Sequence, residues 1–134
     1  MTHAEFARLA EEAVALIPAR FRRAMTNLAV VIEDHPSASL LEEMEVEPPD
    51  SLYGLYSGTP LPERHWDDGN RLPDHITLFQ QPIEEDAADA DDVRIIIAET
   101  LLHEVGHYFG MSEEEIEEVE TRFWHAREGG PEDA

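Results

Sequence analysis

The 134-residue sequence contains no cysteine and no lysine. The absence of cysteine excludes disulfides and thiolate metal ligands together, so any metal site must use histidine, aspartate or glutamate. Positive charge is scarce: nine basic residues, all arginine, stand against 31 acidic ones, for a net charge of −22. A field of that sign repels phosphate backbones, so we expect no binding to nucleic acid. It should instead enrich cationic ligands near the protein.

Long apolar segments are missing as well. No run of about 18 apolar residues is present, so we expect no membrane span. Residues 2–9 alternate charged with apolar side chains, which is unlike the unbroken apolar segment of a signal peptide. We therefore predict a cytoplasmic protein; these patterns leave its oligomeric state open.

The spacing of the apolar residues predicts an α+β domain. Helical spacing indicates helices over residues 4–17, 93–109 and 112–127, and Pro18 either ends the first of these or begins a short second helix through Met25. Short β-branched or alternating runs predict strands over residues 28–32, 52–56 and 75–79. Residues 28–32 are apolar on both faces, so we expect a central strand there, and residues 36–51 have the composition of a loop. We interpret residues 1–127 as one domain and 128–134 as a flexible C-terminal tail.

The predicted helix over 93–109 carries His103-Glu104-Val105-Gly106-His107 near its end. Residues four apart lie on one face of a helix, so the two imidazoles should face a single metal ion. Two histidines commonly supply two of the four ligands of a tetrahedral zinc site. Glu104 follows the first histidine, where it can reach a water in the open position and act as its general base. The alternative is two histidines on an acidic helix without a metal.

Residues 103–113, His-Glu-Val-Gly-His-Tyr-Phe-Gly-Met-Ser-Glu, resemble the extended His-Glu-x-x-His-x-x-Gly-x-x-acid motif of the Asp-zincin type. The wider chain, through residues 55–61 and 72–78, resembles the family of minimal bacterial zincin-like metallopeptidases. The resemblance implies a small zincin-like α+β fold, with a short mixed sheet packed on an active-site helix. It also implies a Zn2+ cofactor and a peptide or protein substrate, and the acidic surface favours a basic one.

The third metal ligand depends on the chain after the motif helix. In the extended motif a glycine turns the chain, so that the acid three positions later returns to the metal. Gly110 and Glu113 stand at those positions, which makes Glu113 the predicted third ligand. Ser112 and Glu115 also have the spacing of a capping box, in which case Glu113 is a first-turn acid only, although the two roles are compatible. Two other acids of the last helix are alternative ligands: Glu117 and Glu120.

The sequence thus predicts a zinc-dependent hydrolase, a metallopeptidase that cleaves peptide bonds with metal-activated water. Glu104 is the predicted catalytic residue, and His103, His107 and Glu113 are the predicted metal ligands. In zincins the strand before the motif helix pairs with extended substrate, so the resemblance implies this role for residues 75–80, by strand addition at a sheet edge. The alternative is a zincin-fold binding or regulatory protein that has lost hydrolysis or uses its metal structurally, since so small a domain lacks a second lobe to deepen the cleft.

Overall fold

A computed structural model of the chain describes residues 1–47, 51–58 and 74–129. The described ranges contain six α-helices and a three-stranded mixed sheet, which confirms the predicted α+β class. In chain order they are α1 (His3–Val14), α2 (Ala19–Ala24), β1 (Ala29–Glu33), α3 (Ala38–Glu43), β2 (Gly54–Ser57), β3 (His75–Phe79), α4 (Gln80–Asp86), α5 (Ala90–Tyr108) and α6 (Glu113–Gly129), with a 3-10 turn at Met25–Asn27. Helix α6 ends two residues beyond the predicted domain boundary, and residues 130–134 of the predicted tail lie outside the described ranges.

The three strands form a mixed sheet in the order β1-β3-β2. Strand β1 pairs with β3 in parallel, and β2 pairs with β3 in the antiparallel sense. The prediction that residues 28–32 form a central strand is wrong: β1 lies at an edge of this sheet, with Val30 and Val31 exposed by 37% and 42%. A short apolar run indicates that a strand tends to be buried. It does not indicate whether the strand pairs with other strands on one side or on both.

The central position belongs to β3, which is buried from Ile76 to Phe79. Both of its edges are occupied, by β1 on one side and β2 on the other. The expectation that residues 75–80 accept a substrate by strand addition is therefore wrong, because β-augmentation needs unpaired backbone groups. Strand β2 is the edge strand that lies against α5.

Two short helices in the described chain were not predicted. Helix α3 lies in the predicted loop 36–51; Ser37 is its N-cap, and the Ser37 hydroxyl accepts from the backbone N–H of Leu40 at 3.1 Å. Helix α4 follows β3 directly, with Pro82 in its first turn, where a missing N–H costs no helical hydrogen bond. Both signals, a capping serine and a first-turn proline, were present in the sequence.

Helix α5 is the buried centre of the fold, packed by α1 on one side and by the sheet and α6 on others. Asp89 caps its N-terminus, accepting from the N–H of Asp92. Burial of each large apolar side chain stabilises the fold by about 1.5–3 kcal/mol. The fully buried members of the core include Phe6, Phe21, Ile76, Leu78, Ile83, Ile97, Leu101, Leu102 and Val105. No helix in the described ranges is long and apolar enough to span a membrane.

Candidate metal centre

The two histidines of the motif face the same side of α5, as the four-residue spacing predicts. The ring centroids of His103 and His107 are 4.8 Å apart, and each side chain is about one third exposed, at 34% and 35%. Ligand atoms of His103, Glu104 and His107 all lie within 4.8 Å of one another. One turn of a buried helix thus brings three potential metal ligands together at the protein surface.

The chain reverses direction directly after the second histidine. Gly110 adopts a left-handed conformation with φ of 73°, which a residue with a Cβ adopts at a cost. The N–H of Gly110 donates to the carbonyl of His107, and the N–H of Met111 donates to that of Gly106, which is the hydrogen-bond pattern of a Schellman C-cap. Gly110 therefore ends α5 as predicted, and α6 begins three residues later.

Ser112 and Glu115 form the capping box at the start of α6. The Ser112 hydroxyl accepts from the backbone N–H of Glu115 at 3.1 Å, and the Glu115 carboxylate accepts from the N–H of Ser112 at 3.0 Å. The capping box occupies Ser112 and Glu115 and leaves the side chain of Glu113 uncommitted to the helix end. The two roles that the sequence left open for this segment are thus compatible in the structure.

Glu113, the predicted third ligand, directs its carboxylate at both histidines. Its Oε1 is 2.9 Å from Nε2 of His107, and its Oε2 is 3.7 Å from Nε2 of His103. The Nε2 atoms of the two rings therefore face a common point beside this carboxylate. The Glu113 side chain is 75% exposed, so the point is open to solvent.

Glu104, the predicted general base, is the most buried acid of the group, with 7% of the residue exposed. Its Oε1 accepts the backbone N–H of Tyr56 at 2.7 Å and lies 3.4 Å from Nδ1 of His107. Three residues earlier in the same segment, the carbonyl of Tyr53 points towards β3 and accepts the backbone N–H of Phe79. Successive residues of a strand direct their backbone groups to opposite edges, so the N–H of Tyr56 points to the outer edge of β2, where Glu104 lies.

The carboxylates of the site and the imidazole of His107 shift each other's pKa values. The pKa of His107 is raised to about 9, first by the hydrogen bond with Glu104, against the effect of partial burial, and then by the hydrogen bond with Glu113. Glu104 raises the pKa of His107 more than Glu113 does, although its carboxylate is farther from the ring, because that carboxylate is buried and less screened by water. In return, the hydrogen bond from His107 lowers the pKa of Glu113 below its ordinary value.

Glu120 contacts the other side of His103. Its Oε1 lies 2.6 Å from Nδ1 of that ring, and its side chain is 20% exposed. In this arrangement Glu120 faces the opposite ring nitrogen from Glu113. The side chain of Glu117, the other alternative ligand, is exposed. The seven-residue spacing of Glu113 and Glu120, two helical turns, is a signal that both acids face the motif helix.

A glycine within the motif sets the distance between α5 and α6. A Cβ added at Gly106 would lie 2.6 Å from Cγ1 of Ile116 and 3.0 Å from its Cδ1. Ile116 is 2% exposed, so its side chain fills this contact. Glycine in a helix costs roughly 0.5–1 kcal/mol relative to alanine, which makes an internal glycine a sign of close packing.

The two tyrosines of the β2 segment bind carboxylates. The hydroxyl of Tyr53 donates to Asp86, and that of Tyr56 donates to the buried Asp74 at 2.7 Å. The hydrogen bond to Asp86 is the main reason why the pKa of Tyr53 is raised to about 12. Donation to a substrate oxyanion by either hydroxyl needs one of these bonds to break, so packing and support of the strand are their roles in this structure.

A cavity of about 280 Å3 lies beside the histidines, between the start of β2 and the outer face of α5. Its walls combine apolar and acidic side chains with backbone. They are formed by Ser51, Leu52, Tyr53, Gly54, Ile96, Glu99, Thr100, His103, Glu104 and Glu120. The candidate catalytic acid and the first histidine therefore border a space that can accept a side chain of another molecule.

Comparisons with known proteins agree with this geometry. Residues 25–123 match the sequence profile of the zincin-like metallopeptidase family. The chain belongs to that family. Membership implies a metal, typically zinc, and residues 103, 104 and 107 form a group that could hold one. No curated protein matches the sequence significantly.

A solved structure supports the fold assignment. The chain is similar to a conserved hypothetical protein from Thermus thermophilus, with 24% sequence identity and a TM-score of 0.54. The match covers 81% of this chain and 94% of the other. At this level of identity the likeness concerns the shared fold.

The donor atoms of the site fit a zinc ion. Imidazole nitrogens and carboxylate oxygens are normal zinc ligands, and two Nε2 atoms with one carboxylate give the three protein ligands that a catalytic site uses. These three groups already face one another, at 2.9 and 3.7 Å from the carboxylate oxygens. Such a set leaves a fourth position for water or substrate, whereas a structural site is closed by a fourth protein ligand.

Proposed function

We propose that the protein is a zinc-dependent peptidase whose metal is held by His103, His107 and Glu113, with Glu104 as the catalytic residue. The observation that carries the proposal is the position of the Glu113 carboxylate, within 2.9 and 3.7 Å of the two Nε2 atoms. The coordinating atoms come from the end of α5 and the start of α6. The Gly110 turn and the Ser112 capping box fix these elements relative to each other.

Zinc, when bound, supplies Lewis acidity to a scissile carbonyl and lowers the pKa of water. Glu104 then has the role of proton carrier: it accepts a proton from the attacking water and donates it to the leaving amine. Its burial and the hydrogen bond from the Tyr56 N–H at 2.7 Å hold the carboxylate in one orientation. A fixed base needs less reorganisation during the reaction than a mobile one.

The substrate strand is expected at the outer edge of β2. The backbone groups of Gly54 point to that edge, where extended peptide can add a strand, whereas the N–H of Tyr56 already donates to Glu104. The neighbouring cavity of about 280 Å3 has acidic side chains in its wall, and the chain carries a net charge of −22. Both features favour a substrate segment with arginine or lysine.

The test combines metal analysis with cleavage of a peptide library. Protein purified without chelator and washed in high salt is expected to hold about one zinc per chain, and His103→Ala is expected to lose it. Glu104→Gln is expected to keep the zinc and to lose activity by roughly 10²–10⁴-fold, the usual contribution of a general base. Glu114→Gln removes the same charge from an exposed position on α6 and serves as the control.

Two outcomes would contradict the proposal. Equal zinc content in His103→Ala and wild type would contradict the assignment of the metal site to these residues. If zinc-loaded wild type cleaves no peptide, or cleaves peptides no faster than Glu104→Gln does, the peptidase proposal fails. The protein would then be a zinc-binding protein of the same fold.

A further inference from the structure

Glu120 is the partly buried acid of α6 that the proposed chemistry does not use. It lies seven residues after Glu113, so the two side chains emerge on the same face of the helix about 10 Å apart. Ile116 lies between them and packs against Gly106 of α5. This packing fixes the position of α6 along the axis of α5. It therefore determines which acids of α6 lie opposite His103 and His107.

The two acids reach different nitrogens of the same ring. Nδ1 of His103 is 2.6 Å from Oε1 of Glu120, whereas Nε2 is 3.7 Å from Oε2 of Glu113. An ionised carboxylate accepts hydrogen bonds and donates none, so the hydrogen-bonded Nδ1 must carry its hydrogen. In the neutral imidazole this leaves the lone pair on Nε2, the nitrogen that faces Glu113.

We infer that Glu120 is a positioning residue, which fixes the tautomer and the orientation of His103 so that Nε2 is the metal-binding atom. The inference rests on the zinc site of the proposed function. Histidines that bind metals commonly donate their other nitrogen to a carboxylate, which orients the ring and raises its basicity. His103 needs such support because its side chain is one third exposed at the protein surface.

The second histidine does not have an equally short contact at Nδ1. The nearest carboxylate oxygen in the described site, Oε1 of Glu104, is 3.4 Å away. That hydrogen bond is longer, and therefore weaker, than the one at His103. Glu104 is also held by the Tyr56 N–H. The shorter contact is therefore the one on His103, and it comes from the helix that also carries Glu113.

Zinc affinity of variants tests this role, measured by competition with a chromophoric chelator. Glu120→Ala is expected to bind zinc roughly 10–100-fold more weakly than wild type, the usual effect of losing a group that orients a ligand. Glu120→Gln keeps an acceptor oxygen, so its affinity should lie between the two. Glu118→Ala removes an acid from the same helix, where it pairs only with solvent-exposed Arg122 among the described contacts, and should leave affinity unchanged.

A second readout separates positioning from general stability. Long-range 1H–15N spectra of the metal-free protein report which imidazole nitrogen carries the hydrogen, and His103 should be protonated at Nδ1 in wild type and mixed in Glu120→Ala. Spectra of the cobalt-substituted proteins should have the same ligand-field bands in wild type and Glu120→Ala, because no ligand is removed.

The outcomes distinguish this inference from the proposed function. Wild type that binds zinc tightly, together with Glu120→Ala of equal affinity and an unchanged His103 tautomer, overturns the role of Glu120 and leaves the zinc site intact. Changed cobalt bands in Glu120→Ala overturn it as well, since Glu120 would then be a ligand. Failure of wild type to bind zinc overturns both.

Discussion

Replacement of Gly106 by alanine tests how closely the metal site depends on the spacing of two helices. The new Cβ would lie 2.6 Å from Cγ1 of Ile116, about 1 Å inside the optimal separation of carbon atoms near 3.5 Å. Ile116 is 2% exposed, so its side chain has little free space and α6 is expected to move away from α5. Glu113 and Glu120 would move with it, on either side of the clash.

Two effects of opposite sign determine the stability of Gly106→Ala. Alanine favours the helix by roughly 0.5–1 kcal/mol, whereas an extra carbon in a filled core costs about 1–3 kcal/mol. We expect a net loss of about 1–2 kcal/mol, which lowers the Tm by roughly 3–8 °C in a domain of this size. Displacement of the α6 acids should also weaken zinc binding by at least roughly tenfold.

Calorimetry of the metal-free protein and chelator competition measure the two quantities. Ile116→Ala provides the matched control, because it removes the two atoms that the new Cβ would approach most closely, Cγ1 and Cδ1. This change alone costs about 2–5 kcal/mol, but combined with Gly106→Ala it should cost at least about 1 kcal/mol less than the sum. If Gly106→Ala is instead more stable than wild type and binds zinc equally well, the spacing of α5 and α6 is not what the glycine provides.

Two further predictions concern the protons and the acids of the site. Because the pKa of His107 is raised to about 9, zinc must displace its proton, so affinity should rise by about tenfold per pH unit from neutral pH to about 9. The stability of the metal-free protein should respond in the opposite sense: the contribution of His107 is fully present below its ordinary pKa of 6.5 and is lost as the pH rises through about 9. Chelator competition and thermal melts across this range measure both, and an affinity that stays constant between pH 7 and 9 would contradict the pairing of His107. In the second prediction, Glu113→Gln should weaken zinc binding by more than the roughly 10–100-fold cost of losing a supporting group, with little effect on the Tm. Ser112→Ala should do the reverse, losing about 1 kcal/mol of stability with unchanged affinity; equal effects of the two variants on affinity would remove Glu113 from the ligand set.

The helices of the site were predictable because their signals are local. The apolar period of α5, the turn at Gly110 and the capping box of Ser112 and Glu115 each involve residues close to one another in the chain. Local hydrogen bonds and sterics decide such features, so the sequence predicted the motif helix, its end and the start of α6. The short helix α3 was missed although it has the same kind of signal in Ser37.

The sheet was predicted less well, because strand order depends on contacts between distant residues. Strand β1 has a more continuous apolar run than β3, yet β3 takes the centre and β1 an edge. The resemblance to zincins had assigned the substrate edge to residues 75–80, the strand before the motif helix. In the structure β2 has the outer edge beside Glu104, and the deciding contact joins Tyr56 to Glu104, 48 residues away.

By itself the sequence determined the pair of histidines, the acid between them and the direction in which the chain leaves the helix. These follow from the geometry of one helix and one turn, in which spacing along the chain fixes spacing in space. Only the tertiary structure decided which later acid meets which ring nitrogen. That depends on how α6 packs across α5, and hence on the contact of Gly106 with Ile116, which directs Glu113 to both Nε2 atoms and Glu120 to Nδ1 of His103.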